Sequence, residues 1–512
     1  MKPPLVLPES YWIASTEATT YPAAEGPVTT EVAVIGGGIA GLCTAWELAR
    51  AGRSVAVLEA GRIAAAVTGN TTAKLSAQHA SVYAHLRDAF GSAAARDYAE
   101  AQTAAIAHVA EIADALGIEC DLERAPSFVY TESEDGVAAL RDEAEAAREA
   151  GLDASFTTET GLPFPVAGAV RVEDQAQFHP RRFLLALAAD FIAQGGRIFE
   201  ESRVTGLDST GSKTEGGAHV LALEGGGEVR CDQVVIATQF PVIDRIKLFA
   251  RLTPRRELVV AGPIPESADP GGMYLTSEGG TRSVRTAPYG EGRRLLIVTG
   301  EAFTPGDDGT TERLDRLTAW ATERFGVESI EYRWAAQDYT TTDRVPFVGE
   351  LSGEDGVYVA CGFGGWGMSN GVAAARTIAE TMAGKPPQWA ELFGPGRFHL
   401  LREGGRLAAA QSKVVQHFIG DRLPHAAPSK PEDLAPGAGA VMRVEGALRA
   451  VYRDEDGGLH TLSAKCTHLG CVVGFNDAER NWECPCHGSR FSTRGAVLQG
   501  PATSPLEAHP HE

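Results

Sequence analysis

A chain of 512 residues is longer than one hydrophobic core usually organises, so two or three domains are expected. Its composition, 44% hydrophobic and 22% charged, is that of an ordinary globular protein, and 46 Lys+Arg against 67 Asp+Glu leave a net charge of −21. So acidic a surface repels nucleic-acid phosphates and anionic lipid, which argues against both as partners.

The first residues, "MKPPLVLPESYWIASTEATTYP", hold no apolar core of a signal peptide and no twin arginine. No run of 18 apolar residues occurs, so no transmembrane segment is expected and the predicted location is cytoplasmic. Cys43, Cys120, Cys231 and Cys361 are scattered through mostly apolar contexts and read as reduced core thiols.

Residues 1–28 read as an N-terminal extension. From 30 to 60 the chain runs "TEVAVIGGGIAGLCTAWELARAGRSVAVLEA". An apolar strand leads into Gly36-x-Gly38-x-x-Gly41, then a helix from about Ile39 to Ala51 and a second strand ending at Glu59. Gly36 permits the tight turn, Gly38 lets a pyrophosphate approach the backbone, and Gly41 lets helix and strand pack closely. Glu59 is placed to accept hydrogen bonds from adenosine ribose hydroxyls. The fingerprint serves FAD and NAD alike, so other segments must decide. "CDQVVIATQFPV" (231–242) is a buried strand followed by Ala237-Thr238 and a proline turn. "YVACGFGGWGMSNGVAAARTIAETMAG" (358–384) is a strand, a glycine loop from Gly362 to Gly371, and a helix that can bring backbone amides to a flavin. Between these segments, 92–116 and 136–151 read as helices from Ala content and apolar spacing.

With "GNTTAKLSAQH" (69–79), "FHP" (178–180) and "TTTDRVPFVGEL" (341–351), these stretches resemble the D-amino-acid-oxidase-like family of FAD-dependent amine and amino-acid oxidoreductases. The resemblance implies an α/β (α+β) FAD-binding, Rossmann-like domain over 29–393. Its nucleotide-binding segments would be about 29–80, 180–245 and 340–385, and a sheet-based substrate domain, about 81–179 and 246–339, would be inserted between them. It places Thr72, Lys74 and Met368 beside the flavin ring, with Gly362 and Gly367 in the second glycine loop, and Val204 at the adenine through its backbone. Lys74 would polarise the ring or pair with the pyrophosphate. Arg285, in "TRSVRTAPYG", stands where a carboxylate-binding arginine would be useful.

Residues 394–439, rich in Pro, Gly and Ala, read as a linker with one short helical piece around "AAAQSKVVQHFIG". After 440 come short strands broken by Gly and Asp turns, a small all-β module. It carries "KCTHLGC" (465–471) and "CPCHGS" (484–489). Zinc sites usually pair ligands as C-x₂₋₄-C and H-x₃₋₅-H. The mixed pairs here, Cys466-x-His468 and Cys484-x-x-His487, instead fit a [2Fe-2S] centre whose irons take two cysteines and two histidines. The pattern resembles the Rieske proteins of respiratory and photosynthetic cytochrome complexes. That resemblance implies a disulfide between Cys471 and Cys486 and a third loop in "GPATSPL" (500–506). Those high-potential relatives place a tyrosine where Phe491 stands here, so a lower potential is expected. No two of the 13 histidines are five apart, which leaves a mononuclear iron site of the Rieske-oxygenase kind without its motif.

Together the halves predict an FAD-dependent amine or amino-acid dehydrogenase or oxidase that sends electrons through the cluster to a redox protein, a quinone or O₂. Two other readings stand beside it: reverse flow, in which the cluster reduces FAD, and a non-catalytic redox sensor.

Overall fold

Two short apolar runs set the central layer. In the computed structural model, which describes residues 9–209, 218–243, 246–278, 280–398, 403–408 and 430–509, Val32–Ile35 and Val55–Leu58 are buried at every position and lie side by side in parallel. Strands buried on both faces read as continuous Val/Ile/Leu runs because each side chain meets a covering layer. The six-stranded sheet runs Arg197–Phe199, Val55–Leu58, Val32–Ile35, Gln233–Gln239, Val357–Cys361, Phe347–Glu350, with the last strand antiparallel to its neighbour. Strand alternation assigns the two faces. Val32 and Val34 join the core beneath the helices Ile39–Arg50 and Gly367–Met382, whereas Ala33 and Ile35 join that of a four-stranded sheet containing Val204–Ser209.

A second, eight-stranded sheet stands beside this unit, ordered Tyr332–Thr341, Leu252–Pro265, Arg293–Phe303, Arg282–Pro288, Met273–Thr276, Ser127–Thr131, Gly168–Val172, Ala154–Thr157. Helix Thr310–Phe325 covers it through Leu314 and Leu317 against Leu258 and Val260. The helices Ser92–Ala115 and Val137–Glu149 pack into the core of the first sheet's helical face. Two small antiparallel sheets, Gly439–Ser463 and Gly474–Gln499, share the C-terminal core around Trp482 and Phe491.

The first eight residues and residues 409–420, nearly all of the helical piece expected around 408–420, lie outside the described residues. The rest of the N-terminal stretch is built in: helix Tyr11–Ala14 buries Trp12, whose indole donates to the Thr71 carbonyl at 2.7 Å. Among the described residues, no helix is long and apolar enough to cross a membrane. Cys43, Cys120, Cys231 and Cys361 are buried and take part in no disulfide.

Candidate active site and cluster site

The first strand ends at Gly36, whose φ of +107° suits glycine alone, and a Cβ there would lie 2.6 Å from the Ala237 carbonyl oxygen. A Cβ on Gly41 would come within 1.9 Å of the Gly36 carbonyl oxygen, so strand, turn and helix touch through bare backbone. Beyond them opens a cavity of about 910 Å³. Gly36, Gly38, Glu59, Val204, Ala237 and Thr238 line its nucleotide end, while Gly41 sits behind the turn. The Glu59 carboxylate accepts from Gly37 N (2.7 Å) and Gly61 N (2.8 Å), and burial raises its pKa. A backbone cradle without side chains, a helix N-terminus and an acid on one cavity wall fit the pyrophosphate and ribose of FAD.

Thr72, Lys74, Gly362, Gly367 and Met368 line the same cavity at its other end. The glycine loop is shorter than the sequence suggested. Its helix starts at Gly367, so Gly371 is a packing residue, where a Cβ would lie 2.8 Å from Ile39 Cγ2. His79 stacks on Trp366 with ring centroids 4.7 Å apart. Its nitrogens contact Tyr98, Ser76 and Ser369, and burial holds its pKa down to about 3. His79 is therefore a neutral wall residue. His179 caps helix Pro180–Ala193, accepting from Arg182 N, and Trp334 donates to the Asn70 carbonyl.

Arg285 corrects the sequence reading. It does not line the cavity: its guanidinium donates to the carbonyls of Thr72, Ala73, Phe178 and Thr286 and lies over Trp12. Its work is to hold the 72–74 segment against the eight-stranded sheet. Lys74, by contrast, is buried at the cavity wall, and its ammonium donates to Ser283 and Thr72. Burial, with Arg285 close by, lowers its pKa to about 7.

In the C-terminal module, Cys471 and Cys486 form a disulfide. The sulfurs of Cys471, Cys484 and Cys486 gather within 4.8 Å, but two of those three are committed to that bond. The cysteines left to hold a metal are Cys466 and Cys484, both buried, whose thiols hydrogen-bond each other. The His468 and His487 rings sit 5.0 Å apart, centroid to centroid. His487 Nδ1 is buried without a hydrogen-bond partner, and burial keeps the imidazole neutral, as a ligand must be. Two thiols, two imidazoles and an orphaned ring nitrogen fit a Rieske-type [2Fe-2S] cluster.

Sequence reasoning missed how the module is seated. Tyr339, on the cavity wall, donates its phenol to the His487 carbonyl at 2.9 Å, and Gln337 donates to the Gly488 carbonyl at 2.8 Å. Phe240, also on the cavity wall, lies 5.8 Å from the His487 ring and 6.1 Å from that of His468. Val497, Leu498 and Gln499 of the C-terminal module line the cavity as well. Nearby, Arg256 is wholly buried and pairs with Glu479 and Glu483. Burial opposes its charge, yet those two carboxylates outweigh it and hold its pKa above the usual value. Asp477 accepts from Thr310 N and Thr311 N, capping a helix of the larger domain from across the interface. The one available signal was Glu483 itself, an acid in the short buried strand Asn481–Glu483 directly before Cys484.

The family model described as FAD dependent oxidoreductase matches residues 31–381, and that of the Rieske [2Fe-2S] domain matches 427–510. YhfW of Bacillus subtilis (strain 168), named as a Rieske 2Fe-2S iron-sulfur protein, is 34% identical over 507 residues, covering 98% of this chain and 97% of its own. Gamma-glutamylputrescine oxidoreductase of Escherichia coli (strain K12) is 25% identical over 400 residues, covering 73% of this chain and 89% of its own. Glycine oxidase from Geobacillus kaustophilus superposes with a TM-score of 0.60 at 20% identity, covering 73% of this chain and 100% of its own.

Proposed function

For a chain that belongs to the FAD dependent oxidoreductase family and ends in a Rieske [2Fe-2S] domain, we propose dehydrogenation of a C–N bond with electron exit through the cluster. The amine would lose two electrons and two protons to give an imine, and water would hydrolyse the imine to a carbonyl compound and ammonia or a smaller amine. Bound at these two sites, FAD supplies two-electron acceptance and the cluster supplies one-electron transfer to a redox protein, quinone or O₂. The gamma-glutamylputrescine and glycine named for two relatives support nitrogenous substrates here.

One observation carries the electron-exit part: the cavity wall and the cluster site share residues. Tyr339 and Phe240 face the cavity and touch His487, so no solvent layer separates the two at that point. The protein's own contribution is enclosure and orientation. Trp366 and His79 wall the cavity, and Lys74 and Asp338 place opposite charges on it. Burial raises the pKa of Asp338 to about 6, while Tyr339 N and Gly365 N donate to its carboxylate.

An anaerobic screen of amines and of D- and L-amino acids, followed by loss of flavin absorbance, tests the reading. Bleaching by at least one such compound is expected. No bleaching by any of them, with prompt flavin reduction by a ferredoxin through the cluster, would overturn it in favour of reverse flow.

A further inference from the structure

The last strand of the C-terminal module, Val497–Gln499, runs along the wall of the flavin cavity. Its pairing with Arg490–Ser492 carries a bulge: Phe491 faces Val497 and Arg490 faces Gln499, so Leu498 is the extra residue. A bulge re-aims the residue it leaves unpaired. Val497 packs on the module's own core, whereas Leu498 stays 53% exposed and lines the cavity. Three contacts hold this stretch against the flavin-binding domain. Arg203 donates to the Val497 carbonyl at 3.4 Å, Gln499 donates to the Gln239 side chain at 2.9 Å, and a Cβ on Gly500 would lie 3.4 Å from Val242 Cγ1. Arg203 precedes Val204 on the cavity wall, and its charge is felt at Glu59 on the nucleotide end. Gln239 has a φ of +68°, and its amide also donates to the Gln337 carbonyl of the eight-stranded sheet. A non-glycine residue keeps that conformation only where its surroundings fix it.

We infer that residues 497–503 of the C-terminal module are part of the FAD site, closing it over the adenosine half, so that bound FAD and the seated module hold each other in place. Thr503, on the loop that follows the strand, lines the cavity with them. The apolar surface of Leu498 is what adenosine removes from water, and Gln499 pins the strand to Gln239 beside it. Linkage makes the effect reciprocal: a module that slows the departure of FAD is itself stabilised in its seat by FAD. FAD enters before the module seats, and the glycine cradle at Gly36–Gly41 still holds it when the module is loose. What the module sets is how slowly the flavin leaves. None of this depends on which substrate the flavin oxidises.

The test uses full-length protein replete in both cofactors, diluted into flavin-free buffer while the fluorescence of released flavin is followed. Gln499→Ala should speed FAD release about fivefold, the equivalent of one net hydrogen bond, and Leu498→Asn should speed it severalfold. Occupancy at saturating FAD should not change in either variant, and the EPR signal of the reduced cluster should keep its parent amplitude. Limited proteolysis of the parent gives the reciprocal reading. Protein stripped of FAD should shed its C-terminal module as an intact fragment severalfold faster than the same protein resupplied with FAD. In Leu498→Asn that protection should shrink by a factor comparable to the gain in release rate. Release within about twofold of the parent in both variants would overturn the proposal. So would shedding that FAD does not slow, or protection by FAD that is undiminished in Leu498→Asn. Should either variant lose its cluster, the parent's shedding with and without FAD decides the matter alone.

Discussion

Lys74 illustrates how one side chain can tie stability to pH. Its pKa in the folded protein is about 7, against roughly 10.4 for an unfolded lysine, so between those values the unfolded chain binds the extra proton. Stability from this group therefore rises as pH climbs from about 7 to about 10 and is lost in the other direction. The charges facing it are Arg285, which reinforces the depression, and Glu257, which opposes it. Thermal unfolding should show Lys74→Met gaining most over the parent near pH 7, with the gain shrinking by pH 9.5; a gain that does not change with pH would contradict this. Phe491, buried in the cluster-bearing core, supplies a second residue-scale expectation. A Phe491→Tyr variant adds a hydroxyl that can stabilise the more negative reduced cluster, so redox titration should give a higher midpoint potential, and no rise would count against the argument.

Among the elements, the strand–turn–helix around Gly36–Gly41 was legible because its constraints are local. Gly41 answers to the Gly36 carbonyl five residues away, and Gly36 to the one strand alongside. Gly41→Ala would drive a methyl into the Gly36 carbonyl and lever the helix from the strand. The purified variant should carry well under one flavin per chain while its cluster signal stays normal, and full flavin occupancy would refute that role. The cluster loops were legible for the same reason, with all ligand candidates inside two short stretches. The second sheet was not. In Leu252–Pro265, exposed Arg255 and buried Arg256 are adjacent, and nothing local says which one faces the C-terminal module. Arg285 misled in a similar way: an arginine on a substrate-domain strand suggests a ligand, but its partners are carbonyls far away in sequence, at 72, 73 and 178.

At the scale of the whole molecule, the two domains meet through a desolvated charge cluster rather than a loose polar contact. Removing one member of a buried pair typically costs about 3–5 kcal/mol, because the partner's charge is left stranded. Arg256→Met leaves Glu479 and Glu483 with only their longer ion pairs to Arg490. It should lower the melting temperature, open the C-terminal module to limited proteolysis, and slow cluster reduction while leaving flavin bleaching intact. An unchanged rate of cluster reduction would mean that this docking does not set the transfer. That dependence on seating is what no reading of separate motifs supplies, since Tyr339, Phe240 and His487 become neighbours only after three distant segments fold together.

The central claim, that electrons leave the flavin cavity through the neighbouring cluster, is tested most directly by freeze-quench EPR. Protein replete in both cofactors would be mixed anaerobically with a substrate that bleaches the flavin and frozen at intervals. A Rieske-type signal should grow with or just behind bleaching and be absent in a Cys484→Ser variant that still bleaches. Complete bleaching in wild-type protein with the cluster remaining oxidised would contradict it.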